Sequence, residues 1–444
     1  MKQMKKPMKT QFAIFGTVVS LLAFYSGFAQ QPGIQYWRPF DQDGTGIFES
    51  TKQDTIIYNG MKVRVGGAFA QQFQMLNHST SFTSDEATGQ LIEIKKGFNN
   101  ATANLNIDVQ LDDGVRLELI TYLSARHHQE AWVKGGYIQF DKLPFNSAGL
   151  DKIMEYLTFK IGHMEINYGD AHFRRTDNGN AIYNPFVGNY IMDAFNTEIG
   201  AEAYVKASGF IGLLGVTEGE IKGDVKAGGD RSPSVYSKLG YDNQFTDDLR
   251  IRLTGSLYTT KESGASNYLY SGDRGGSRYY YVMEPKKYID YRAGGAVTST
   301  SSVNRPSSGR WNPGFSNSVT SVVINPFVKF KGLEVFGLYE VSKGAADNET
   351  TDRKVNQMAA EVIYRFLRNE NIYVGARYNQ VSGELSGSIS DADITRAQFI
   401  AGWFINKHIL TKLEYVKQNY NGFSGNLYEN GQFDGVMIEA VIGF

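Results

Sequence analysis

Residues 101–111 read ATANLNIDVQL, the turn Asp112-Asp113-Gly114 follows, and residues 115–123 continue as VRLELITYL. In an extended chain Ala101, Ala103, Leu105, Ile107, Val109 and Leu111 share one face, while Thr102, Asn104, Asn106, Asp108 and Gln110 share the other. Beyond the turn the alternation resumes, with Val115, Leu117, Leu119 and Leu123 opposite Arg116, Glu118 and Tyr122. Each run is longer than the roughly five or six residues usual in soluble sheets and matches the ~9–11 that cross a bilayer at a tilt. A hairpin that is greasy on one face and polar on the other over this length predicts a piece of a transmembrane β-barrel.

The same period of two recurs outward in both directions. At the C-terminus Val436, Ile438, Ala440, Ile442 and Phe444 alternate with Gly435, Met437, Glu439 and Gly443. Further strands are expected near 62–76, 131–142, 157–169, 197–206, 209–221, 233–245, 249–261, 317–330, 332–343, 354–367, 371–384, 394–405 and 409–421. With 101–111, 114–126 and 433–444 they make sixteen, so the fold class is all-β, an antiparallel up-and-down barrel of about 16 strands (16–18). Turns of a few residues follow the even-numbered strands, at Ala207-Ser208, Lys331 and Asn406-Lys407-His408 for example, with a longer one at 143–156. Long polar junctions at 77–100, 170–196, 222–232 and 262–316 lie between. That asymmetry is the one expected of short periplasmic turns and long external loops, and an even count returns the C-terminus to the periplasm. A propeller or sandwich would show repeats or blade signatures, which are absent.

Composition agrees. The 444 residues include 48 Gly, 27 Tyr, 28 Phe, 10 Pro and no Cys. So aromatic a chain does not stay solvated and disordered. Without Cys there is no disulfide framework, thiol nucleophile or Cys-ligated metal. Residues 1–29 have the form of a secretory signal: Lys2, Lys5, Lys6 and Lys9, then an apolar stretch from Phe12 to Phe28, then Gly27-Phe28-Ala29 as a small-x-small cleavage site. The alternative is an uncleaved anchor helix. Loss of four lysines moves the formal charge from −1 to −5, which argues against nucleic acid as a partner. The expected organisation is 1–29 signal peptide, 30–60 a periplasmic or plug segment, and 61–444 the barrel.

The polar strand faces would line a lumen too wide for its own side chains to fill. Residues 170–196, with Arg174, Arg175 and five aromatics, are too apolar for a freely solvated loop. Folded inward they would narrow the channel and offer Arg174 and Arg175 to a solute; packed outside, the arginines would sit in ordinary ion pairs, and the sequence leaves both open. Candidate pore residues are therefore Arg174, Arg175, Lys160, Arg116, Arg250, Arg252 and Arg377. The basic inward set slightly outnumbers the acidic one, hinting at anions, unless opposite charges simply pair across neighbouring strands. Residues 262–316, rich in Ser, Gly and Tyr, read as a cover over the barrel mouth.

Catalytic readings are weaker. His127 and His128 are adjacent, so in a strand they point to opposite faces and chelate poorly. His163 and His172 flank Glu165 and Asp170, but acid–base work needs a hydrogen-bonded acid or nucleophile within about 3 Å. No GxSxG, HExxH, Walker or dinucleotide motif occurs. No enzyme activity, cofactor or metal is expected.

The Lys160-Ile161-Gly162 step in strand 157–169, the Tyr168-Gly169-Asp170 and Asn184-Pro185-Phe186 segments, and the closing strand ending at Phe444 resemble the phosphate-selective porin O and P group, in the divergent form common in Bacteroidota. The resemblance implies a Gram-negative outer-membrane porin, a trimeric sixteen-stranded barrel carrying anions. The dense arginine ladder and lysine cluster of a phosphate pore are missing. The functional expectation is a passive channel for small hydrophilic solutes, anions among them, embedded in outer-membrane lipid and assembled as a homotrimer; the alternative is a non-conducting barrel subunit of a surface or secretion complex.

Overall fold

The computed structural model describes residues 31–125, 130–145, 147–220, 232–261, 269–270, 272, 278–290, 296–299, 308–385 and 389–444. The signal-peptide expectation, Arg126, His127 and His128 lie outside them.

Sixteen antiparallel strands run in chain order around a closed wall: β1 Lys62–Ser79, β2 Thr102–Asp112, β3 Val115–Ser124, β4 Trp132–Phe140, β5 Leu157–Glu165, β6 Thr197–Ala207, β7 Phe210–Glu220, β8 Ser234–Gln244, β9 Leu249–Thr260, β10 Ser318–Phe330, β11 Leu333–Ala345, β12 Arg353–Phe366, β13 Ile372–Gly383, β14 Ala392–Asn406, β15 Ile409–Asn421 and β16 Gln432–Gly443. Each pairs with its sequence neighbours, and β1 also pairs with β16, Ala68 opposite Gly443 through Ser79 opposite Gln432, so no sheet edge is left unpaired around the wall. Two residues, Gly97–Phe98, add to the long-loop end of β1, and a hairpin of Lys287–Asp290 and Ala296–Ser299 stands apart from the barrel sheet. One helix, Ala148–Met154, lies in the junction between β4 and β5.

Turn chemistry sets the hairpins. Gly114, at φ +71°, closes the β2–β3 turn, where the register slips by one residue between Gln110 and Asp112. Ser208 and Gly209 both take positive φ between β6 and β7, the backbone twist that a two-residue hairpin requires. The short turns collect at one end of the barrel and the long junctions at the other.

The two faces separate as the alternation predicts. Leu105, Leu119, Ile161, Leu253, Val322, Val362, Phe399, Leu413 and Ile438 all point outward and are exposed. An apolar belt of this extent far exceeds the few hundred Å² that a soluble monomer shows, and it is the surface a bilayer covers. Asn104, Asp108, Arg116, Lys238, Arg252, Glu340, Glu361, Arg377, Arg396, Lys412, Glu414 and Glu439 point inward and are buried. Among the described residues no helix is long and apolar enough to cross a membrane.

One strand ends early. The expected 157–169 stops at Glu165, because Ile166, Tyr168 and Asp170 leave the wall and enter the lumen, where all three are buried.

Candidate functional site: the barrel lumen

Three segments fold into the barrel. The first, residues 34–56, laces the short-turn rim together. Gln35 accepts from Gly114 N at 2.9 Å and donates to Asp113 Oδ1 at 3.1 Å, Lys52 Nζ donates to Asp141 O at 2.9 Å, and Gln42 N donates to Lys407 O at 2.8 Å. The second, residues 166–196, lies against β10–β15 and, at Asn178 and Gly179, against β2 and β3, where Asn178 Nδ2 donates to Ala103 O at 2.7 Å and Leu123 O at 3.1 Å. Met192 N donates to Gln357 Oε1 and Met192 O accepts from Gln357 Nε2, at 3.0 and 2.7 Å. Val187 N donates to Glu414 Oε2 at 2.7 Å, and Lys412 Nζ donates to the carbonyls of Ala181 and Phe186 at 2.7 and 3.1 Å. The inward reading of this segment is therefore the one realised. Its length of exposed backbone is possible inside a barrel because wall side chains satisfy the donors and acceptors that lack secondary structure.

The third segment departs from the expectation of a cover over the mouth. Tyr270 and Tyr279 are buried in the lumen, donating to Glu340 Oε1 at 2.8 Å and Glu414 Oε1 at 2.6 Å. Arg310 NH1 reaches Asp193 Oδ2 at 3.2 Å, so the second and third segments also hold each other. A tyrosine-rich stretch enters because each ring is apolar along its body and needs one acceptor at its tip, which the inward glutamates supply.

An ion cluster ties the first two segments to the wall. Lys238 Nζ lies 3.1 Å from Glu49 Oε1 and 2.9 Å from Asp170 Oδ1; Arg252 lies 2.8 Å from Glu49 Oε2 and 2.7 Å from Asp170 Oδ1. All four side chains are at most 1% exposed. Burial pushes the Asp170 carboxyl up, but Lys238 and Arg252 outweigh it and hold the group at about 2; the same two cations hold Glu49 well below its ordinary range against its own burial.

The candidate pore residues divide by place. Arg174 faces the wall, 2.6 Å from Glu334 and 3.1 Å from Glu361. Arg377 lies 2.7 Å from Glu361, with its guanidinium over the rings of Phe186 and Tyr190. Arg252 belongs to the ion cluster, and Arg250 forms a two-pronged pair with Asp242 at 2.8 and 2.7 Å. Arg175 grips Asp193 through Nε and NH2 at 2.9 and 2.7 Å. Arg116 lies 3.0 Å from Glu118, and Lys160 lies 3.1 Å from Glu202. Of the seven, Arg175, Arg116 and Lys160 line a cavity within the lumen.

That cavity, of about 180 Å³, lies between β2–β6 and the inserted segments, with His172, Arg175, Asp177 and Asn180 of the 166–196 segment forming part of its lining. Its lining includes residues to which no role was given from sequence: Trp37 from the first segment, Asn106 from β2, Lys134 from β4 and Asp177 from the second segment. Lys134 bridges Glu165 at 2.8 Å and also pairs with Asp177. Only Asn106 and Lys134 carried a usable sequence signal, as polar residues on the inward phase of a strand; Trp37 and Asp177 come from irregular segments with no period to read.

The histidine candidates are also placed. His172 Nδ1 meets Glu165 Oε1 and its Nε2 meets Asn167 Oδ1, each at 2.9 Å, so both ring nitrogens are taken and neither is available to a nucleophile. Burial lowers the His172 pKa. His163 Nε2 contacts Thr197 Oγ1 at 3.0 Å. Among the described residues no cluster of three or more His, Asp or Glu has metal-site geometry.

No family model and no curated protein matches this sequence. Among solved structures the chain is similar to an anion-selective porin from Comamonas acidovorans, with TM-score 0.51 and 10% identity over 86% of this chain and 100% of that one. It is also similar to OmpT, an outer membrane protein of Vibrio cholerae, with TM-score 0.49 and 10% identity over 88% and 99% of the two chains. The outer membrane channel DcaP of Acinetobacter baumannii gives TM-score 0.48 and 11% identity over 87% and 98%. At such identity the first of these shows a shared barrel fold and leaves the function to the site.

Proposed function

We propose that this protein is an outer-membrane channel for the passive diffusion of small hydrophilic solutes, exported by a signal peptide at residues 1–29, with the short turns and residues 30–60 on the periplasmic side. The observation that carries the reading is the partial filling of the lumen. The inserted segments are fixed on β10–β15, on β2 and β3 and on the short-turn rim, and between them and β2–β6 they leave a cavity lined by polar and aromatic side chains. A wall built only as a scaffold gains nothing from a polar, open flank inside an apolar belt.

Selectivity for phosphate, which the O and P group resemblance implies, finds little support in the lining. Arg116, Lys134, Lys160 and Arg175 each stand within 3.2 Å of a carboxylate. Paired charges offer an anion little net field, so we infer weak charge selectivity. A homotrimer is part of the proposal and is tested by cross-linking in detergent.

The competing reading, a non-conducting barrel subunit, draws on the same inserted segments, since three of them occupy one lumen. Planar-bilayer recording decides. Stable conductance steps at neutral pH, smaller than those of an unobstructed barrel, are expected; a protein that shows the folded mobility on unboiled gels yet stays silent would refute the channel.

A further inference from the structure

We propose that the cavity on β2–β6 is a binding site for a neutral polyhydroxyl solute of monosaccharide size. The inference rests on the channel reading above and adds the class of solute. It starts from which hydrogen-bonding capacity in the cavity is already used. The cations are held by Glu118, Glu165, Glu202 and Asp193, so an entering ion would have to compete with a pair already formed. Arg38 is spent on the carbonyls of Gly44 and Phe173 at 2.9 and 3.1 Å, with its guanidinium 3.7 Å over the Tyr183 ring.

The unspent capacity is different in kind. Asn106 is 1% exposed, lines the cavity, and has neither its amide nitrogen nor its amide oxygen bonded. Asn180 Oδ1 and Arg116 Nε, on the same lining, also lack partners. A buried carboxamide left with donor and acceptor both open costs stability that a folded chain does not keep without use. The group that satisfies both at once is a hydroxyl, which donates and accepts, and a solute carrying several can reach the separate sites. A carboxylate group only accepts, and an ammonium group only donates. The rings of Trp37, Tyr137 and Tyr204 add apolar planes beside these polar points, the mixture that orients a small ligand. The volume suits the size: about 180 Å³ holds roughly a dozen waters at ~10–15 Å³ each.

The test uses three pyranose solutes of similar shape and different charge: D-glucose, D-glucuronate and D-glucosamine. Swelling of proteoliposomes carrying the full-length protein should show saturable entry of glucose, at least tenfold favoured over the two ions. Asn106→Leu should lose that preference by tenfold or more, and Asn106→Ser, which keeps a neutral donor and acceptor, should retain it; the gel mobility of the unboiled protein checks folding of both. Equal entry of all three solutes, preference for glucuronate, or an Asn106→Leu protein with wild-type preference would overturn the site while leaving the channel standing. A folded protein that passes neither ions nor solutes would overturn the channel reading, and equilibrium dialysis with labelled glucose would then judge the site alone: competition by excess glucose but not glucuronate upholds it, and absence of retained label removes it.

Discussion

Glu361, at the centre of the wall that faces the inserted segment, is the residue whose loss should open the barrel. Its carboxylate takes Arg377 Nε at 2.7 Å, Arg174 NH2 at 3.1 Å and the Tyr190 hydroxyl, and it is fully buried. Glu361→Gln keeps the shape and removes the charge. Arg174 retains Glu334 at 2.6 Å, but Arg377 is left with neutral partners, Gly188 O at 2.7 Å, Asn184 Oδ1 at 3.3 Å and Gln398 Oε1 at 3.5 Å. One uncompensated buried guanidinium costs about 3–5 kcal/mol. No discount for solvent screening applies, because both partners are at most 1% exposed. At ~1.4 kcal/mol per decade this moves the docking equilibrium of 166–196 by on the order of a hundredfold to a few thousandfold. The wall itself loses no strand pairing, so the cost falls on the inserted segment. Limited trypsin digestion of the folded protein in detergent reads the outcome directly: Arg174 and Arg175 are 3% exposed in the native state and should resist, whereas the variant should be cut there. Bilayer recording should show larger and noisier conductance. Equal resistance to trypsin together with unchanged conductance would show that Glu361 does not hold the segment, and the electrostatic reasoning would fail.

Acid should undock the N-terminal segment. Asp170 and Glu49 have folded pKa values below their unfolded ones, so their contribution is complete above about pH 4 and is lost as the pH falls toward about 2; trypsin cleavage after Lys52 should be flat from neutrality to mild acid when digests follow a return to pH 8 too brief for redocking, and should rise only after exposure below pH 4. Gly179→Ala should weaken the docking of 166–196, since its Cβ would lie 2.5 Å from Ala103 Cα, a backbone atom that cannot swing aside; overpacking of this kind costs ~1–3 kcal/mol, and increased trypsin sensitivity at Arg175 measures it. On the outer face Ile438→Arg should destabilise the barrel in lipid by about 2–4 kcal/mol, read from urea titrations in liposomes, because this exposed side chain stands mid-strand in β16; an unchanged midpoint would argue that the belt does not meet lipid.

The wall was legible in the sequence because each strand carries its own evidence. ATANLNIDVQL states which residues face lipid and which face the lumen without reference to any partner, and the expected 101–111 and 433–444 differ from Thr102–Asp112 and Gln432–Gly443 by a residue at either end. Arg252 and Arg377, expected inside, and Glu439, on the polar phase of the closing strand, are all buried for the same reason. The end of β5 was not legible, since Ile166, Asn167 and Tyr168 continue an acceptable alternation while the structure turns them inward.

The contents of the lumen belong to tertiary structure. Whether Arg174 meets a solute or Glu334 depends on β11, 160 residues further along the chain, and whether Trp37 plugs the rim or hangs free depends on which wall groups face it. Local periodicity holds no information about such meetings, because the segments that enter the barrel have no regular backbone and take their hydrogen bonds from side chains far away in sequence. The chain alone thus determined a closed cylinder with an apolar outside and a polar inside; packing decided which inward groups the inserted segments occupy, from Asn104 on β2 to Glu414 on β15, and how much of the lumen they fill.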